Sequence, residues 1–544
     1  MSSGMVASMS MVDELKSLSV GDVSLDEGSL TIASCDASLF EVRPRAIIAP
    51  HSESEVVKLV SAVAKRKVID PTLSLTARAA GTGMDGGALT ESIVVDVVKY
   101  LHTLGELYEA SGETRIDVEP GVYYRDLEKV LTAHGLMLPP YPASKDLCTV
   151  GGMVANNAGG EYSLGYGNTN RYVRSVRLVL DDGSLMETQP LTTAELDAVC
   201  ATQTREGEIY RALRALLETH KDAIAAARPK VSKNSSGYFL WDVWDGERFD
   251  IGKLIVGSQG TLGLMTRVTL GVVPLPKYER ALIITLGSLD ILPEVVLALR
   301  AEGASRIEAF DENTYALAVK HMPEATRGIV TTIDSSLTII VTVSGDDASE
   351  VAARTARAHA AVTAHSPTCC AVLEPEECDD YWHIRRASFD MLRTHAHGEH
   401  RVAPFIDDII VPVEKLAQFL PELRALLAEY FLTYTLAGHV GDGNFHLIPL
   451  VDMRDEHERH QVLELADRVF SLVFAYGGAM AGEHNDGIIR TPFVERMFGH
   501  AMNEIFKEVK RIFDPQNIFN PGKKVNGSLT YALEHFATKN DGAA

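Results

Sequence analysis

The sequence lacks several patterns that mark large classes of protein. Its six cysteines are scattered among 544 residues without a repeated C-x-x-C, which argues against a disulfide framework and against an iron–sulfur cluster bound by this chain. No apolar run is long enough to cross a bilayer, and the first residues have neither the basic start nor the continuous apolar core of a signal peptide. We therefore expect a cytoplasmic location, with no integral membrane segment and at most a peripheral attachment through a partner.

Positive charge is also scarce. The chain has 51 Lys and Arg residues against 74 Asp and Glu residues, which gives a net charge of −23. Such a charge disfavours nucleic acids and anionic membrane surfaces as partners. The other fractions, 46% hydrophobic and 23% charged residues, are ordinary for a globular protein, and the length predicts two or more domains.

Histidine occurs in a distinctive segment, G-H-V-G-D-G-N-F-H, at residues 438–446. Asp442-Gly443 is a strong signal for a two-residue type I′ hairpin turn. A turn there places His439 opposite His446 on one face, with Cβ atoms roughly 5 Å apart. Two converging imidazoles can bind one metal ion, whereas the alternative is a pair of polar residues on a surface hairpin. We favour the metal site because the turn geometry makes the two side chains converge.

A second polar segment, G-E-H-N-D-G at 482–487, offers a carboxylate and a further imidazole. Glu483 can complete the ligand set, since zinc and manganese both accept mixed histidine and carboxylate ligands. Three protein ligands leave a coordination position open for a substrate, and His484 then remains as a free base beside the metal. Taken alone, the segment is weak evidence, because a solvated loop has the same composition.

The first glycine-rich segment, residues 76–88, carries Gly81, Gly83 and Gly86 in a G-x-G-x-x-G pattern. A Rossmann fold requires a helix directly after such a pattern, but residues 92–97 have the pattern of a strand, so we reject that assignment. A glycine-rich loop between strands can still bind a pyrophosphate through its backbone N–H groups. The alternative is a purely structural turn.

Two more glycine-rich segments, at 148–160 and 254–264, are small and nearly uncharged. Such backbone can approach a large flat ligand closely. The ordered motifs A-x-G-T-G-x-x-G-G, T-V-G-G-M-V-A-N-N-A-G-G, G-S-Q-G-T-L-G, G-H-V-G-D-G-N-F-H, G-E-H-N-D-G and F-D-P-Q-N-I-F-N-P-G-K resemble those of the FAD-linked oxidases, the vanillyl-alcohol-oxidase-type flavoproteins. The resemblance spans about residues 44–524, and it is nearest to the branch of D-lactate, D-2-hydroxyglutarate and glycolate dehydrogenases.

The resemblance implies an α+β fold, with a two-subdomain FAD-binding domain and a substrate (cap) domain that has an antiparallel sheet and flanking helices. By motif position we expect an N-terminal extension at 1–43, the FAD-binding domain at 44–274, the cap domain at 275–484, a segment returning to the FAD-binding domain at 485–526 and a tail at 527–544. Within the cap domain, the sequence pattern predicts strands at 281–286, 337–344, 406–412 and 433–437 and a helix at 292–301.

The resemblance also assigns FAD to the glycine-rich segments. The residues expected to contact it are Arg78, Ala80, Gly81, Thr82, Gly83, Gly86, Gly87, Ser144, Gly151, Gly152, Asn156, Asn157, Gly159, Gly160, Gly257, Gly260, Thr261, Gly263 and Asn520. Many members of the family attach FAD covalently through a histidine in the first glycine-rich segment or through a cysteine. No histidine lies between Arg78 and Ala88, so we expect noncovalent FAD.

By the same resemblance, His439, His446 and Glu483 are ligands of a divalent metal, zinc or manganese, and His484 is the catalytic base. Arg385, in the sequence Y-W-H-I-R-R, matches the W-x-x-R segment whose arginine pairs with the substrate carboxylate. That role suits a guanidinium, which presents a fork of donors to the two carboxylate oxygens. Outside this family, such an arginine usually lies on a helix surface beside a packed tryptophan.

The expected reaction is the oxidation of a D-2-hydroxy acid to the 2-oxo acid. The metal lowers the pKa of the hydroxyl, the base takes its proton, and flavin N5 takes the hydride. For D-2-hydroxyglutarate we expect polar side chains at the positions of Ile406, Ile448 and Phe389, which are apolar here. Burying a second carboxylate against them costs several kcal/mol, which favours D-lactate over D-2-hydroxyglutarate or glycolate unless Arg386 or Arg401 supplies a partner.

Two other functions compete with this one. A metallohydrolase would use the same ligands and base to activate water, but it leaves the three glycine-rich segments unexplained. A flavin-binding subunit without catalysis is disfavoured because the predicted ligands and base are all present. As partners, the resemblance leaves room for an iron–sulfur or other electron-accepting protein, and for a homodimer.

Overall fold

The computed structural model describes residues 11–330, 336–396 and 400–538. The first part of the described chain contains a mixed four-stranded sheet. Its elements are α1 (Met11–Ser17), β1 (Asp22–Ser24), α2 (Glu27–Ala33), β2 (Ala46–Ala49), α3 (Glu53–Lys67), β3 (Leu75–Arg78) and β4 (Ile93–Asp96). The strand order is β1-β2-β4-β3, with β2 and β3 parallel to β4 and β1 antiparallel to β2. Helix α3 buries Val56, Leu59, Val60 and Val63, whose helical spacing gives one apolar stripe, in the core of this sheet.

A five-stranded antiparallel sheet forms the next part of the chain. The elements of this part are β5 (Leu104–Ala110), β6 (Glu113–Val118), α4 (Tyr124–Ala133), β7 (Leu136–Met137), α5 (Val150–Asn156), α6 (Ser163–Tyr166), β8 (Val173–Val179), β9 (Leu185–Glu187), β10 (Leu191–Thr192), α7 (Thr193–Cys200), α8 (Arg205–Thr219), α9 (Lys221–Ala227), β11 (Arg248–Phe249), α10 (Gly252–Ile255), β12 (Leu264–Gly271) and β13 (Val273–Pro274). The strand order is β5-β6-β12-β8-β9, and two small ribbons pair β10 with β11 and β7 with β13.

An eight-stranded antiparallel sheet dominates the third part. Its elements are β14 (Tyr278–Leu286), α11 (Leu292–Ala301), β15 (Arg306–Asp311), α12 (Glu312–His321), β16 (Leu337–Gly345), α13 (Ala348–Thr363), β17 (Cys369–Leu373), α14 (Asp379–Arg386), α15 (Ser388–His395), β18 (His400–Val402), β19 (Ile409–Ile410), α16 (Leu416–Ala428), β20 (Tyr434–Gly438), β21 (Asn444–Asp452) and α17 (Glu456–Ala475). The order is β17-β14-β16-β15-β20-β21-β18, with β19 also paired to β21.

Both faces of this third sheet are covered. Along β16, Ile339 and Val341 lie in the main apolar core, while Ile340 packs with Ile283 and Phe310 in a second one. This alternation follows from the two-residue period of a strand. The sheet therefore separates two apolar layers, and its strand ends are free to carry polar side chains.

The last part of the chain returns to the first sheet. It contains α18 (Gly487–Arg490), α19 (Val494–Phe498), α20 (His500–Phe513) and α21 (Leu529–Glu534). After α20, the Leu75 N–H donates to Ile518 O at 2.8 Å and the Asn520 N–H donates to Leu75 O at 2.9 Å. Beyond α21, the Phe536 ring stacks on Phe40 with centroids 5.3 Å apart, so part of the segment that we predicted as a tail packs on part of the predicted N-terminal extension.

The predicted α+β class and antiparallel cap sheet are confirmed, and so is the helix at 292–301. The strand predicted at 406–412 is shorter, because only Ile409–Ile410 pairs with β21. Asp408 has a φ of +68°, which breaks an extended conformation. Among the described residues, no helix is both long enough and apolar enough to cross a membrane.

The hairpin turn predicted at Asp442-Gly443 is wrong. In the observed register, Ala437 rather than His439 lies opposite His446, and residues 439–443 form a loop with a short 3₁₀ turn. Gly443 has a φ of +74°, and a Cβ there would lie 2.1 Å from Val411 O. The chain segment that packs over the loop, rather than the turn propensity of two residues, therefore decides the conformation.

Candidate functional site

Four parts of the chain meet in a buried polar cluster at one end of the cap sheet. The loop after β20 supplies His439, the start of β21 supplies His446, and the loop before α18 supplies Glu483 and His484. Arg385 reaches the same cluster from α14. The structure thus brings together the three predicted metal ligands, the predicted base and the predicted carboxylate-binding arginine.

The three imidazoles point their Nε2 atoms at one carboxylate oxygen. Glu483 Oε1 lies 3.0 Å from Nε2 of His439, 3.3 Å from Nε2 of His446 and 3.9 Å from Nε2 of His484. The side chains of His439 and Glu483 are 7% and 6% exposed, whereas that of His484 is 21% exposed. His484 is therefore the imidazole of this cluster that is most accessible from outside.

Buried carboxylates fix the opposite nitrogen of each imidazole. His439 Nδ1 lies 2.7 Å from Glu308 Oε1, and His446 Nδ1 lies 2.9 Å from Asp407 Oδ1. The other oxygen of Asp407 lies 2.7 Å from Nδ1 of His484, as an ion-pair contact without hydrogen-bond geometry. Carboxylates in these positions set the orientation of an imidazole and the nitrogen that carries its proton. All three rings are thereby oriented with Nε2 toward Glu483.

A fourth carboxylate, Asp408, organises the backbone of the Glu-His pair. Its Oδ2 accepts hydrogen bonds from the N–H groups of Glu483 at 2.8 Å and His484 at 2.7 Å. Its Oδ1 accepts one from Asn444 Nδ2 at 3.0 Å. Ligand atoms of Asp408, His446, Glu483 and His484 all lie within 4.8 Å of one another. The hydrogen bonds of Asp408, however, show that it mainly stabilises the backbone of this loop.

Lys233 supplies a buried positive charge to the cluster. Its Nζ lies 2.7 Å from Glu483 Oε2, and both side chains are almost fully buried. Burial by itself lowers the pKa of Lys233, but the carboxylates of Glu483, Asp442 and Asp408 outweigh it and raise that pKa above its ordinary value. The lysine is thus held as a cation, and it leaves Oε1 as the carboxylate oxygen that faces the histidines.

Charge pairing also sets the protonation of the other members. Although burial opposes it, Lys233 and His439 hold the pKa of Glu483 well below its ordinary value. Burial likewise opposes ionisation of His439 and His484, but Glu308 raises the pKa of the first to about 9, and Asp407 with Asp408 raises the pKa of the second to about 9. These shifts describe a cluster in which Glu483 is ionised and positive charge is drawn to His439 and His484.

The segment that carries Lys233 runs alongside the Glu-His loop. The Ser235 N–H donates to Ala481 O at 3.0 Å, and the Asn485 N–H donates to Ser235 Oγ at 2.9 Å. Asp486 Oδ2 accepts from the Gly237 N–H at 2.9 Å. These bonds attach the loop of the cluster to the segment between α9 and β11, which also carries Lys233.

Arg385 lies beside the histidines with part of its fork unused. Its Nη2 is 3.1 Å from Glu308 Oε2, the carboxylate whose other oxygen contacts His439. Its buried Nε has no hydrogen-bond partner among the described residues. A guanidinium with a free donor at the edge of this cluster can bind an anionic group of a ligand.

The three glycine-rich segments meet one another directly. Asn520 Nδ2 donates to Gly87 O and to Gln259 O, both at 2.8 Å. The Gly257 N–H donates to Val154 O at 2.9 Å, and Asn485 Nδ2 donates to Gly257 O at 2.9 Å. The three segments therefore pack against one another, and Asn485 connects the third of them to the loop that carries Glu483 and His484.

Close backbone approach explains the second glycine-rich segment. A Cβ at Gly160 would lie 1.9 Å from Tyr141 O, and one at Gly159 would lie 2.8 Å from Glu483 Oε2. Asn157, at the end of α5, adopts a left-handed φ of +52°. This segment thus passes between the aromatic stretch around Tyr141 and the histidine cluster, where side chains do not fit.

Two predicted FAD contacts have other partners in the structure. Arg78 Nη2 donates to Cys35 O at 2.6 Å, and its Nη1 donates to Ala33 O at 3.4 Å. Ser144 begins a turn in which its carbonyl oxygen accepts from the Cys148 N–H at 2.9 Å. Arg78 therefore joins the first glycine-rich segment to the N-terminal extension.

Four members of the cluster were not predicted from the sequence: Glu308, Asp407, Asp408 and Lys233. Three of them left a signal, because Glu308 and the Asp407-Asp408 pair are acids inside apolar runs, where a carboxylate needs a partner. Lys233 lies in an ordinary polar run, and only the fold shows its role.

Two family models match the chain. The model described as FAD binding domain matches residues 44–189, and the model described as FAD linked oxidases, C-terminal domain, matches residues 275–524. The histidine cluster and Arg385 lie in the second of these regions, and the first two glycine-rich segments lie in the first.

Known proteins resemble the chain along most of its length. It is 30% identical to a D-2-hydroxyglutarate dehydrogenase of Pantoea ananatis over 518 residues, which cover 92% of this chain and 50% of that protein. It is 28% identical to a D-lactate dehydrogenase of Anaerostipes hadrus over 496 residues, which cover 89% and 90% of the two chains. The chain thus spans about half the length of the D-2-hydroxyglutarate dehydrogenases that it matches.

A solved structure shares the fold. The 4-ethylphenol oxidase from Gulosibacter chungangensis superimposes with a TM-score of 0.66 at 17% identity, covering 94% of this chain and 95% of that one. At this identity the likeness concerns the arrangement of the domains and not the chemistry of the site.

Proposed function

The chain belongs to the FAD-linked oxidases, and from that premise we propose that it is an FAD-dependent dehydrogenase that oxidises a D-2-hydroxy acid to the 2-oxo acid. The observation that carries the proposal is the convergence of three Nε2 atoms on Glu483, beside Arg385 and next to the glycine-rich segments. Such a cluster can bind the hydroxyl and carboxylate ends of one small acid.

A divalent metal, zinc or manganese, fits the donors of His439, His446 and Glu483. Their Nε2 and Oε1 atoms face one another, and buried carboxylates hold the opposite nitrogens of both histidines, as around metal ligands in general. Two imidazoles and one carboxylate suit either ion and leave a position open. A metal bound there supplies Lewis acidity that lowers the pKa of the substrate hydroxyl.

FAD fits the surface formed by the glycine-rich segments. Beside them, Thr149 Oγ1 and Asn168 Oδ1 are buried and lack hydrogen-bond partners among the described residues, and buried polar atoms of this kind are usually satisfied by a ligand or water. Bound FAD supplies the hydride acceptor, flavin N5. Because residues 78–88 contain no histidine, we propose that FAD is held noncovalently.

The side chains of the cluster have separate tasks in this proposal. Arg385 holds the carboxylate of the substrate through its free donor and thereby fixes the direction of the C2–H bond. His484 in its neutral form accepts the hydroxyl proton at Nε2, and because its pKa is raised to about 9, that form becomes more populated as the pH rises. Asp407, at Nδ1 of His484, holds the ring and stabilises the imidazolium that forms. Asp408 and Lys233 keep the Glu-His loop in place.

D-lactate is the substrate that we favour. At the positions where a second carboxylate would lie, Ile406 and Ile448 are buried and Phe389 is partly buried. Arg401 donates to Leu39 O and Ala537 O, so it is engaged by the terminal segments. The second candidate substrate is D-2-hydroxyglutarate, because a relative that is 30% identical is a D-2-hydroxyglutarate dehydrogenase. The third candidate is glycolate.

We also propose the limits of the two domains and the class of electron acceptor. We place the limits of the FAD-binding domain at 44–274 with a returning segment at 485–526, and those of the cap domain at 275–484. An iron–sulfur or other electron-accepting protein is proposed to reoxidise the flavin.

An anaerobic reduction experiment tests the function. Each D-2-hydroxy acid is added to oxygen-free protein loaded with FAD and metal, with the L-enantiomers as controls. We expect D-lactate to bleach the flavin absorbance and its L-enantiomer to leave the absorbance unchanged. A flavin that no 2-hydroxy acid reduces would leave a non-catalytic flavin subunit, and hydrolysis without bleaching would indicate a metallohydrolase.

A further inference from the structure

A second arginine, Arg386, lies next to Arg385 in the sequence and is already occupied by a carboxylate of this chain. Its Nε donates to Glu161 Oε1 at 2.6 Å and its Nη2 donates to Glu161 Oε2 at 2.8 Å. The Glu161 side chain is 8% exposed, while that of Arg386 is 50% exposed. The pair therefore has the bidentate geometry in which a guanidinium binds a carboxylate. The carboxylate is buried, and the guanidinium is half exposed.

A third arginine completes the surroundings of this carboxylate. Arg306 Nη1 lies 3.7 Å from Glu161 Oε2, and its Nη2 lies 3.0 Å from Glu279 Oε2. The Arg306 guanidinium is held between the rings of Tyr162 and Trp382, at 4.5 and 4.8 Å from their centroids. Although burial opposes it, Arg386 and Arg306 hold the pKa of Glu161 below its ordinary value, so Glu161 is ionised.

The pair adjoins the place where the substrate is proposed to bind. Glu161 follows the glycines of the second segment, and Gly159 lies against Glu483 Oε2. Arg386 follows Arg385 at the end of α14. One partner thus comes from the predicted FAD-binding domain and the other from the predicted cap domain. The charge of Arg385 also helps to lower the pKa of Glu161, so the pair lies within electrostatic range of the arginine that is proposed to hold the substrate.

We propose that Glu161 sets the substrate class by occupying the fork of Arg386, so that the site takes D-2-hydroxy acids with one carboxylate and rejects those with two. The inference rests on the proposed function and adds the residue that decides between its candidate substrates. D-2-hydroxyglutarate carries its second carboxylate three carbon–carbon bonds from the carbinol carbon, which brings it toward the second arginine when Arg385 holds the first carboxylate. There the second carboxylate finds the guanidinium of Arg386 already paired with Glu161, and the negative charge of Glu161 repels it, so binding is disfavoured.

The change Glu161→Gln tests this inference. It keeps the shape of the side chain and removes its charge, so the fork of Arg386 becomes available to a substrate. The ratio of kcat/KM for D-2-hydroxyglutarate to that for D-lactate is expected to rise at least about tenfold, a modest value for gaining a bidentate, charge-assisted pair. Because Arg386 is half exposed, losing its partner does not bury an unpaired charge, and the variant is expected to fold.

Glu279→Gln is the matched control. It removes one negative charge from the same network, at Arg306 rather than at Arg386, and it should leave the substrate ratio unchanged. Adding Arg386→Met to Glu161→Gln should abolish the gain, because the freed fork is then absent. Glu161→Met, which is apolar and similar in length, provides a second variant in case the glutamine variant loses FAD.

Ligand binding without turnover gives an independent readout. Glutarate and butyrate are titrated into the oxidised protein, and the flavin spectrum reports their binding. We expect Glu161→Gln to bind glutarate at least about tenfold more tightly than the wild type does, with butyrate affected less. An unchanged ratio and unchanged glutarate affinity, in a protein that oxidises D-lactate, would overturn the role of Glu161 and leave the proposed function intact. A wild type that already prefers D-2-hydroxyglutarate would overturn it as well, whereas a flavin reduced by no 2-hydroxy acid contradicts the proposed function itself.

Discussion

Replacing Lys233 with methionine tests whether its charge stabilises the histidine cluster. Lys233 Nζ lies 2.7 Å from Glu483 Oε2, and the side chains are 4% and 6% exposed. Methionine has a similar length, so Lys233→Met removes the charge while filling most of the space. It leaves the Glu483 carboxylate near three other acids of the cluster, Glu308, Asp407 and Asp408. His439, 3.0 Å from Glu483, is then its nearest remaining positive neighbour.

Breaking a buried ion pair by removing one partner costs about 3–5 kcal/mol when the other charge stays uncompensated. Because His439 still faces Glu483, we expect the lower end of this range, about 3 kcal/mol. For a domain of roughly 200 residues, a loss of 1 kcal/mol lowers Tm by about 2–4 °C. We therefore expect the metal-free variant to unfold about 6–12 °C below the metal-free wild type. Zinc or manganese, bound at Glu483 as proposed, supplies positive charge to the same carboxylate and should recover part of that difference.

The assay is thermal unfolding followed by tryptophan fluorescence, with and without a chelator. Lys129→Met is the control, since Lys129 and Asp126 form an ion pair with side chains 75% and 51% exposed, and such surface pairs contribute little. If Lys233→Met lowered Tm no more than Lys129→Met does, the charge of Lys233 would not stabilise the cluster. If metal did not reduce the difference, Glu483 would not be a ligand.

Three further predictions follow from the site and the cap domain. Because residues 78–88 contain no histidine, acid or heat should release free FAD, and flavin that stays with the denatured chain on a gel contradicts this. His484→Ala should slow anaerobic flavin reduction by about 10²–10⁴-fold, and excess metal should not restore the rate. In Glu483→Ala, excess metal should restore part of the rate, because this variant lacks a metal ligand rather than the base. If metal affected both variants equally, the assignment of His484 as base and Glu483 as ligand would be refuted. Burial raises the pKa of Asp311 to about 6, above its unfolded value, so the wild type should lose about 3 kcal/mol of stability between pH 4 and 6 that Asp311→Asn retains. Thermal unfolding at a series of pH values measures this loss. Asp347→Asn is the control: it removes an exposed capping carboxylate whose pKa is lowered, so it should change the pH dependence of the unfolding free energy in the opposite direction.

Local patterns in the sequence were sufficient for many elements. The apolar stripe of α3 and the helix at 292–301 follow from helical spacing. A strand rather than a helix after the first glycine-rich segment follows from the short run of β-branched residues at 92–97. These features depend on residues a few positions apart, whose period is fixed by the backbone. The prediction that His439 and His446 converge was confirmed, although the turn from which it was derived is not present.

Tertiary structure decided how that pair converges. A hairpin turn would have made the two histidines direct cross-strand neighbours, but Ala437 takes that place, and the loop at 439–443 is shaped by contacts with the segment around Val411. The rings meet because Glu308 and Asp407 hold their Nδ1 atoms. Such bonds join residues more than 30 positions apart, so no local pattern contains them.

The charges around the site were equally beyond the sequence. Nothing in the neighbours of Lys233 distinguishes it from a solvated lysine, and Glu161 follows two glycines in a segment expected to touch FAD. Folding places the lysine at 2.7 Å from Glu483 and the glutamate at 2.6 Å from Arg386. The residue types that can carry the chemistry were fixed by the sequence, whereas their pairing, and with it each group's charge, was decided by long-range packing that removes them from water.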